Sequence, residues 1–233
     1  MRPLIGIHGI GSQPDEDFLN ASWSQATKQQ VKVVRWSDIT EDNLDIAKEI
    51  APINALVDEV MKKYPQTWLA PFYSATVVKR AIMDVVLYVK VPAIRERVKQ
   101  RLHKALSAYV MSPIRPIILA HSLGSVIAYE VMRERMNDTA SLITIGSPLG
   151  MELLKANMPK LIIPAGIDKW HNFADRLDPV ALDSTLQNDF LTDKILDFEV
   201  KNLDRWRLSP HSATGYLGLM AVRKSIFDFQ VAP

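Results

Sequence analysis

The chain has 233 residues, 48% of them hydrophobic and 23% charged, which suits one α/β domain with a full-sized core and excludes a disordered segment. A formal net charge of +2 is too small to argue for a nucleic-acid partner, and the absence of cysteine excludes disulfides and thiolate metal sites. Met1-Arg2-Pro3 leads straight into Leu4-Ile5-Gly6-Ile7, too short for a signal-peptide core, and the best candidate span, 77–94, carries Lys79, Arg80, Asp84 and Lys90. A soluble, cytoplasmic protein is expected.

Taken in chain order, the patterning predicts a strand over 3–8, a helix over 15–28 and a strand over 31–36. Helices over 41–64, 75–88 and 93–109 follow, then a strand over 114–120 and a helix over 123–135. Strands over 141–145, 169–174 and 195–200, with a helix over 151–157, lead to a final helix over 215–229. Apolar runs alternating with helical periods point to an α/β fold, a mostly parallel sheet flanked by helices.

One stretch breaks the alternation. Between Trp36 and Ile114 lie several helical segments and no strand, where a single crossover helix needs far fewer residues. The surplus is expected to form a helical cap insertion within 41–112, inside a single domain spanning 1–233. Its helices are amphipathic, with Val78, Ile82 and Val86, and then Ile94, Val98, Leu102 and Leu106, recurring every four residues. From Lys79 to Lys104 the chain carries +6 and the remainder −4. A solvated face around an ordinary packing stripe accounts for this. Basic helices around 79–104 that touch an anionic membrane surface account for it too. Trp68, Phe72 and Tyr73 are candidates for an acyl pocket or for the core.

The pentapeptide Ala120-His121-Ser122-Leu123-Gly124 joins a predicted strand to a predicted helix. A nucleophile elbow needs that context, with small residues two positions to either side of the serine, and Ala120 and Gly124 meet the requirement. The alternative is a serine that merely caps the helix. A nucleophilic serine needs a histidine base and an acid, in the order Ser, Asp or Glu, then His for this type of sheet. His103 precedes the serine and His171 falls within a predicted strand. His211, in Leu208-Ser209-Pro210-His211-Ser212, occupies a loop after the last strand. For the acid, Asp178 precedes Pro179, which biases it to an extended backbone at a fixed turn. Asp175 at the strand end competes with it, and Asp183 is a more distant third. The oxyanion hole requires two backbone N–H groups: Leu123 after the serine, and Ile10 in the glycine run His8-Gly9-Ile10-Gly11 after the first strand. That run lacks the spacing of a phosphate loop.

With His8-Gly9-Ile10-Gly11, Ala120-His121-Ser122-Leu123-Gly124, Thr144-Ile145-Gly146-Ser147-Pro148-Leu149, Trp170-His171-Asn172 leading to Asp178-Pro179-Val180, and His211 in this order, the chain resembles the α/β-hydrolases, nearest the lipase and serine-esterase branch that includes GPI-inositol-deacylase-like proteins. Alanine stands at 120 where the family's usual residue is glycine, and the first strand here corresponds to the family's third, so a short sheet of six strands is expected. The resemblance implies a triad of Ser122, Asp178 and His211, with Ile10 and Leu123 as the oxyanion hole. The expected activity is hydrolysis of a small-molecule or lipid ester through an acyl-enzyme, with no cofactor and no metal. A thioesterase, amidase or acyltransferase on the same triad, or a silent interaction module on the same scaffold, are the alternatives.

Overall fold

The computed structural model describes residues 1–10, 13–41, 75–110, 112–135, 140–156, 158, 160–178, 180–181, 183–202 and 210–231. Six parallel strands form one sheet: β1 (Leu4–Ile7), β2 (Val31–Val34), β3 (Ile117–His121), β4 (Ala140–Ile145), β5 (Ile167–Ala174) and β6 (Ile195–Glu199), in the spatial order β2-β1-β3-β4-β5-β6. Each coincides with a strand expected from its apolar run. Both faces of the sheet are covered, so successive residues of one strand are buried on opposite sides. Ile117 and Leu119 of β3 join a cluster with Leu4, Val33, Ile143 and Phe173. Ile118 and Ala120 join another, with Ile5, Ile7, Leu142 and Trp170.

Helices α1 (Glu16–Thr27), α8 (Ala213–Gly218) and α9 (Met220–Val231) cover the first of these faces through Leu19, Trp23, Tyr216, Leu217, Val222, Ile226 and Phe229. Helices α3 (Ala75–Lys90), α4 (Pro92–Ser107) and α5 (Leu123–Glu134) cover the second. One-turn helices α2 (Asp38–Glu41), α6 (Glu152–Lys155) and α7 (Gln187–Phe190) complete the described elements.

All but the first residue of the expected helix over 41–64 and the aromatic residues Trp68, Phe72 and Tyr73 lie outside the described residues, which omit 42–74 and 111 of the region read as a cap. Its described remainder packs tightly. Ile94, Val98, Leu102 and Leu106 of α4 are buried against the sheet and α5, so this helix belongs to the layer that covers the sheet. Val86 of α3 is buried as its spacing predicts; the side chains at 78 and 82 lie outside the described residues. Two cations of α4, Arg95 and Lys99, turn inward. The guanidinium of Arg95 grips the Glu130 carboxylate, which also accepts the Tyr88 hydroxyl at 2.5 Å. Lys99 pairs with Glu96 and Glu134, and Arg101 with Asp38. These bonds tie α3 and α4 to α5 and α4 to α2, while Arg97, Arg101 and Lys104 are exposed on α4. Among the described residues no helix is long and apolar enough to cross a membrane.

Two helices depart from expectation. The last one breaks at Leu219, whose backbone is extended (φ −67°, ψ 139°), just after Gly218, a poor helix former. The expected helix over 151–157 shrinks to the single turn of α6.

Candidate active site

The carboxyl ends of the strands carry the site. Ser122 follows the last residue of β3 with φ 54° and ψ −131°, a conformation that is costly for any residue with a side chain. Its side chain makes no capping bond to α5, which removes the reading of Ser122 as an N-cap. Three contacts hold the strained turn. Ser122 N–H donates to Ile145 O at 3.1 Å. The Ser125 hydroxyl donates to Ser122 O at 2.6 Å and therefore accepts from Ser147, 2.7 Å away, since it has a single proton to give. At 124, any Cβ would overlap the carbonyl oxygen of Ile7 and fall 2.7 Å from that of His8, so glycine is required for α5 to begin against the end of β1. Ala120 is fully buried in the sheet, paired in register with Ile7 and Thr144, and its methyl is accommodated.

The loop after β1 lies directly on the serine. A Cβ on Gly9 would sit 2.5 Å from Ser122 Cβ and 3.1 Å from Ser122 Oγ. His8 fixes this loop. Trp36 N–H donates to His8 Nε2 at 3.0 Å, so the ring proton is on Nδ1, which donates to Gly9 O at 2.6 Å. The Trp36 indole donates in turn to His8 O, and the two rings stack at 5.0 Å. Ile10, half-buried, follows immediately, and Leu123, the first residue of α5, presents an N–H that the helix itself does not use. Of the sequence-predicted pair, Leu123 directly follows Ser122, and Ile10 follows Gly9, the residue that lies on the serine.

Asp178 is wholly buried. Its backbone N–H donates to Asp175 O at 2.9 Å, closing a turn after β5 that aims the side chain at His211. His211 Nδ1 donates to Asp178 Oδ2 at 2.8 Å, Tyr216 OH donates to the same oxygen at 2.8 Å, and Val180 N–H donates to Oδ1 at 2.9 Å. Asp175 is occupied otherwise: its carboxylate accepts Leu177 N–H at 2.8 Å and Asn202 N–H at 2.5 Å. Asp183 accepts from Thr185 and stands 4.0 Å from Lys155. Of the three carboxylates weighed from sequence, Asp178 is the one that meets the histidine.

Buried side chains hold the His211 segment through three consecutive carbonyls. Asn202 Nδ2 donates to Pro210 O at 2.8 Å and to Ser212 O at 3.0 Å. His121 Nε2 donates to His211 O at 3.0 Å, and the two imidazoles lie 4.5 Å apart. Burial, reinforced by the neighbouring His211, holds His121 well below the usual imidazole range, so it stays neutral. Gly146, at the end of β4 with φ +56°, packs against the acid–base pair: a Cβ there would stand 2.7 Å from Asp178 Oδ2 and 3.0 Å from His211 Nδ1.

Ser122 Oγ and His211 Nε2 are both buried, and neither has a hydrogen-bond partner. With Nδ1 donating to Asp178, neutral His211 offers a lone pair at Nε2 and Ser122 offers a proton. The direct bond between them is not formed, as is common before a substrate is bound. His171 lies elsewhere in β5, bonded to Ser225 Oγ at 2.8 Å, and His103 is bonded to Glu134. Among the described residues no group of three His, Asp or Glu side chains is set to hold a metal ion. A cavity of about 630 Å³ lined by Lys155, Ile162, Phe190 and Lys194 shares no residue with the Ser122 site.

Sequence reasoning missed Tyr216, Asn202 and the contact of His121 with the His211 loop. His121 and Gly146 stand inside motifs that were read, but nothing local marks Tyr216 or Asn202. No protein-family model, curated protein or solved structure matches this chain.

Proposed function

We propose that this protein is a serine hydrolase of carboxylic esters on a short α/β-hydrolase fold, with the chain between β2 and β3 as the source of a cap. The observation that carries the reading is the pair of His211 Nδ1 and Asp178 Oδ2, 2.8 Å apart, with the His211 ring 4.5 Å from that of His121, the residue before a serine whose strained turn leaves its hydroxyl uncommitted. Ser122, Asp178 and His211 also follow the chain order expected of such an enzyme.

In this reading His211 Nε2 takes the Ser122 proton as Oγ attacks the acyl carbonyl. The oxyanion is received by the N–H groups of Leu123 and Ile10. His211 then gives the proton to the departing alkoxide, and water releases the acyl group by the same route. Asp178 orients the imidazole and stabilises its cation. No metal or cofactor takes part.

A chain-length series of p-nitrophenyl esters, with one thioester and one amide of the same acyl group, tests the reading and its leaving-group alternatives. Ester hydrolysis is expected, together with labelling by a fluorophosphonate that disappears in a folded Ser122→Ala variant. Labelling that persists in that variant overturns the nucleophile. Absence of both hydrolysis and labelling overturns the function.

A further inference from the structure

Tyr216 lies in α8, five residues beyond His211, and is fully buried. Its hydroxyl accepts the Asp175 backbone N–H at 2.9 Å and donates its one proton to Asp178 Oδ2 at 2.8 Å. That oxygen also accepts His211 Nδ1. The other oxygen, Oδ1, accepts Val180 N–H at 2.9 Å and Ala181 N–H at 3.4 Å. A wholly buried carboxylate thus has four donors, and the two strongest converge on one atom. Burial and the adjacent Asp178 charge push the Tyr216 phenol upward, so it remains a donor across the working range of pH.

We propose that Tyr216 is a positioning residue for the His211 base, sharing the charge of Asp178 Oδ2 and so limiting how tightly that carboxylate holds the imidazolium; this rests on the reading of Asp178 and His211 as the acid and base of a hydrolase. Two consequences follow from the geometry. The bridge from Asp175 N–H through the Tyr216 hydroxyl fixes Oδ2 opposite His211 Nδ1. The same bond also withdraws negative charge from Oδ2, so an imidazolium formed during turnover returns its proton more readily. The break of the last helix at Leu219 accords with this, because it lets α8 aim Tyr216 at the turn after β5 independently of the direction of α9.

Among the described residues the groups facing His211 are few. Asp178 stands beyond the end of β5 and Tyr216 in α8. His121 at the end of β3 is kept neutral by burial. The end of β4 contributes only Gly146. Asp175 lies behind Tyr216, and His8 beyond His121. Loss of the phenol therefore changes one charged neighbour of His211 through one bond.

The test is an NMR titration of the full chain carrying ¹³Cε1-labelled histidine, with the His211 signal identified by its loss in His211→Gln. Tyr216→Phe removes the donor and keeps the ring. It is expected to move the His211 titration midpoint up by about 0.5–1 pH unit, because the carboxylate then holds the imidazolium more strongly. Incorporation of 3,5-difluorotyrosine at 216, a stronger donor, is expected to move it down. Tyr129→Phe, which removes a hydroxyl bonded to Ile162 O, should leave it in place. A His211 midpoint unmoved in folded Tyr216→Phe overturns the role. If that variant does not fold, an unmoved midpoint in the difluorotyrosine protein overturns it instead. The readout needs no turnover. An inactive protein with a shifted midpoint therefore refutes the hydrolase and not Tyr216, and an active one with a fixed midpoint refutes Tyr216 alone.

Discussion

Gly146→Ala perturbs the acid–base pair without altering either member. The backbone at 146 has φ +56°, which costs about 1–2 kcal/mol for any residue with a Cβ. The new methyl would stand 2.7 Å from Asp178 Oδ2, 3.0 Å from His211 Nδ1 and 3.2 Å from His211 Cε1, where ordinary contact begins at 3.4 Å. Asp178 has little freedom to yield, with two backbone donors on one oxygen and Tyr216 on the other. The His211 backbone is held by His121 and, through its neighbours, by Asn202. Against ordinary contact at 3.4 Å the shortfall is about 0.7 Å at Asp178 Oδ2 and about 0.4 Å at His211 Nδ1, so carboxylate and imidazole must both give, by about the 0.5 Å tolerance of a catalytic constellation. A displacement of about 1 Å costs on the order of 10²-fold in rate, so kcat/KM should fall by about 10-fold. Strain and a weakened bond to Asp178 together should destabilise the fold by about 2–4 kcal/mol, seen as a drop in Tm of roughly 5–15 °C. The assay pairs p-nitrophenyl ester hydrolysis with thermal melting. Gly150→Ala, whose Cβ would press on Asp183 Cβ at 2.8 Å, is the control and should lower Tm while sparing the rate. An unchanged rate and Tm in Gly146→Ala would show that nothing depends on the contact of the β4 end with the pair.

The two competing carboxylates should separate by phenotype. Asp178→Asn is expected to lower kcat by about 10³–10⁴-fold. Asp175→Asn should cost about 1–3 kcal/mol in urea denaturation, because it weakens the acceptor of Leu177 N–H and Asn202 N–H, with kcat within about threefold; equal kinetic losses in the two would refute the assignment. Asn202→Ala leaves the carbonyls of Pro210 and Ser212 without their side-chain donor and should lower kcat more than it raises KM, while a pure KM effect would place Asn202 at the substrate instead. Stability should fall as pH drops below about 6.5, the unfolded-state value for histidine, because His121 and His171 are both held lower in the fold, chiefly by burial. The unfolded chain then takes up protons that the fold refuses. His121 alone contributes up to about 1.4 kcal/mol per pH unit below that point and nothing well above it. Urea denaturation at pH 7.5 and 5.5 should show a shallower decline in His121→Gln than in the parent, and parallel declines would contradict the buried neutral state.

The central strands were legible because burial on both faces favours apolar residues along their whole length. Ile117-Ile118-Leu119-Ala120 and Ser141-Leu142-Ile143-Thr144-Ile145 read as runs, and both are fully buried strands. The amphipathic spacing of Ile94, Val98, Leu102 and Leu106 located α4 equally well. Its place in the architecture was less legible. Periodicity identifies a buried face and does not say what covers it, so the spacing alone did not show that α4 packs on the sheet and α5. Single turns such as α2 and α7 carry too few residues for a period to register. The break at Leu219 was hidden for a different reason: apolar residues at 216, 217, 222, 226 and 229 face one cluster from two helices as readily as from one.

At the site, legibility followed sequence distance. Ser122 is surrounded by the residues that strain and support its turn, so a pentapeptide announces it. The pairing of Asp178 with His211 was inferable from order alone, but Asp175 and Asp178 are three positions apart in the same polar turn and differ only in which donors reach them. The long-range donors come from 27, 33 and 38 residues away, from Asn202 to Asp175 and from His211 and Tyr216 to Asp178, and the Asp175 backbone N–H itself donates to Tyr216 across 41 residues. His121 meets the His211 carbonyl across 90 residues. No local pattern encodes such contacts, since they exist only once β3, β5 and α8 are in register. The distribution has a physical sense. A nucleophile needs a strained backbone, and strain is written locally in small residues. A base needs an orientation, and here that is set by side chains converging from separate elements on one carboxylate and three carbonyls. Substitutions at Ala120, Gly124 or Gly146 should therefore disturb the turns themselves, whereas Tyr216 and Asn202 can be exchanged one at a time to adjust His211 while the turn at Ser122 stays intact.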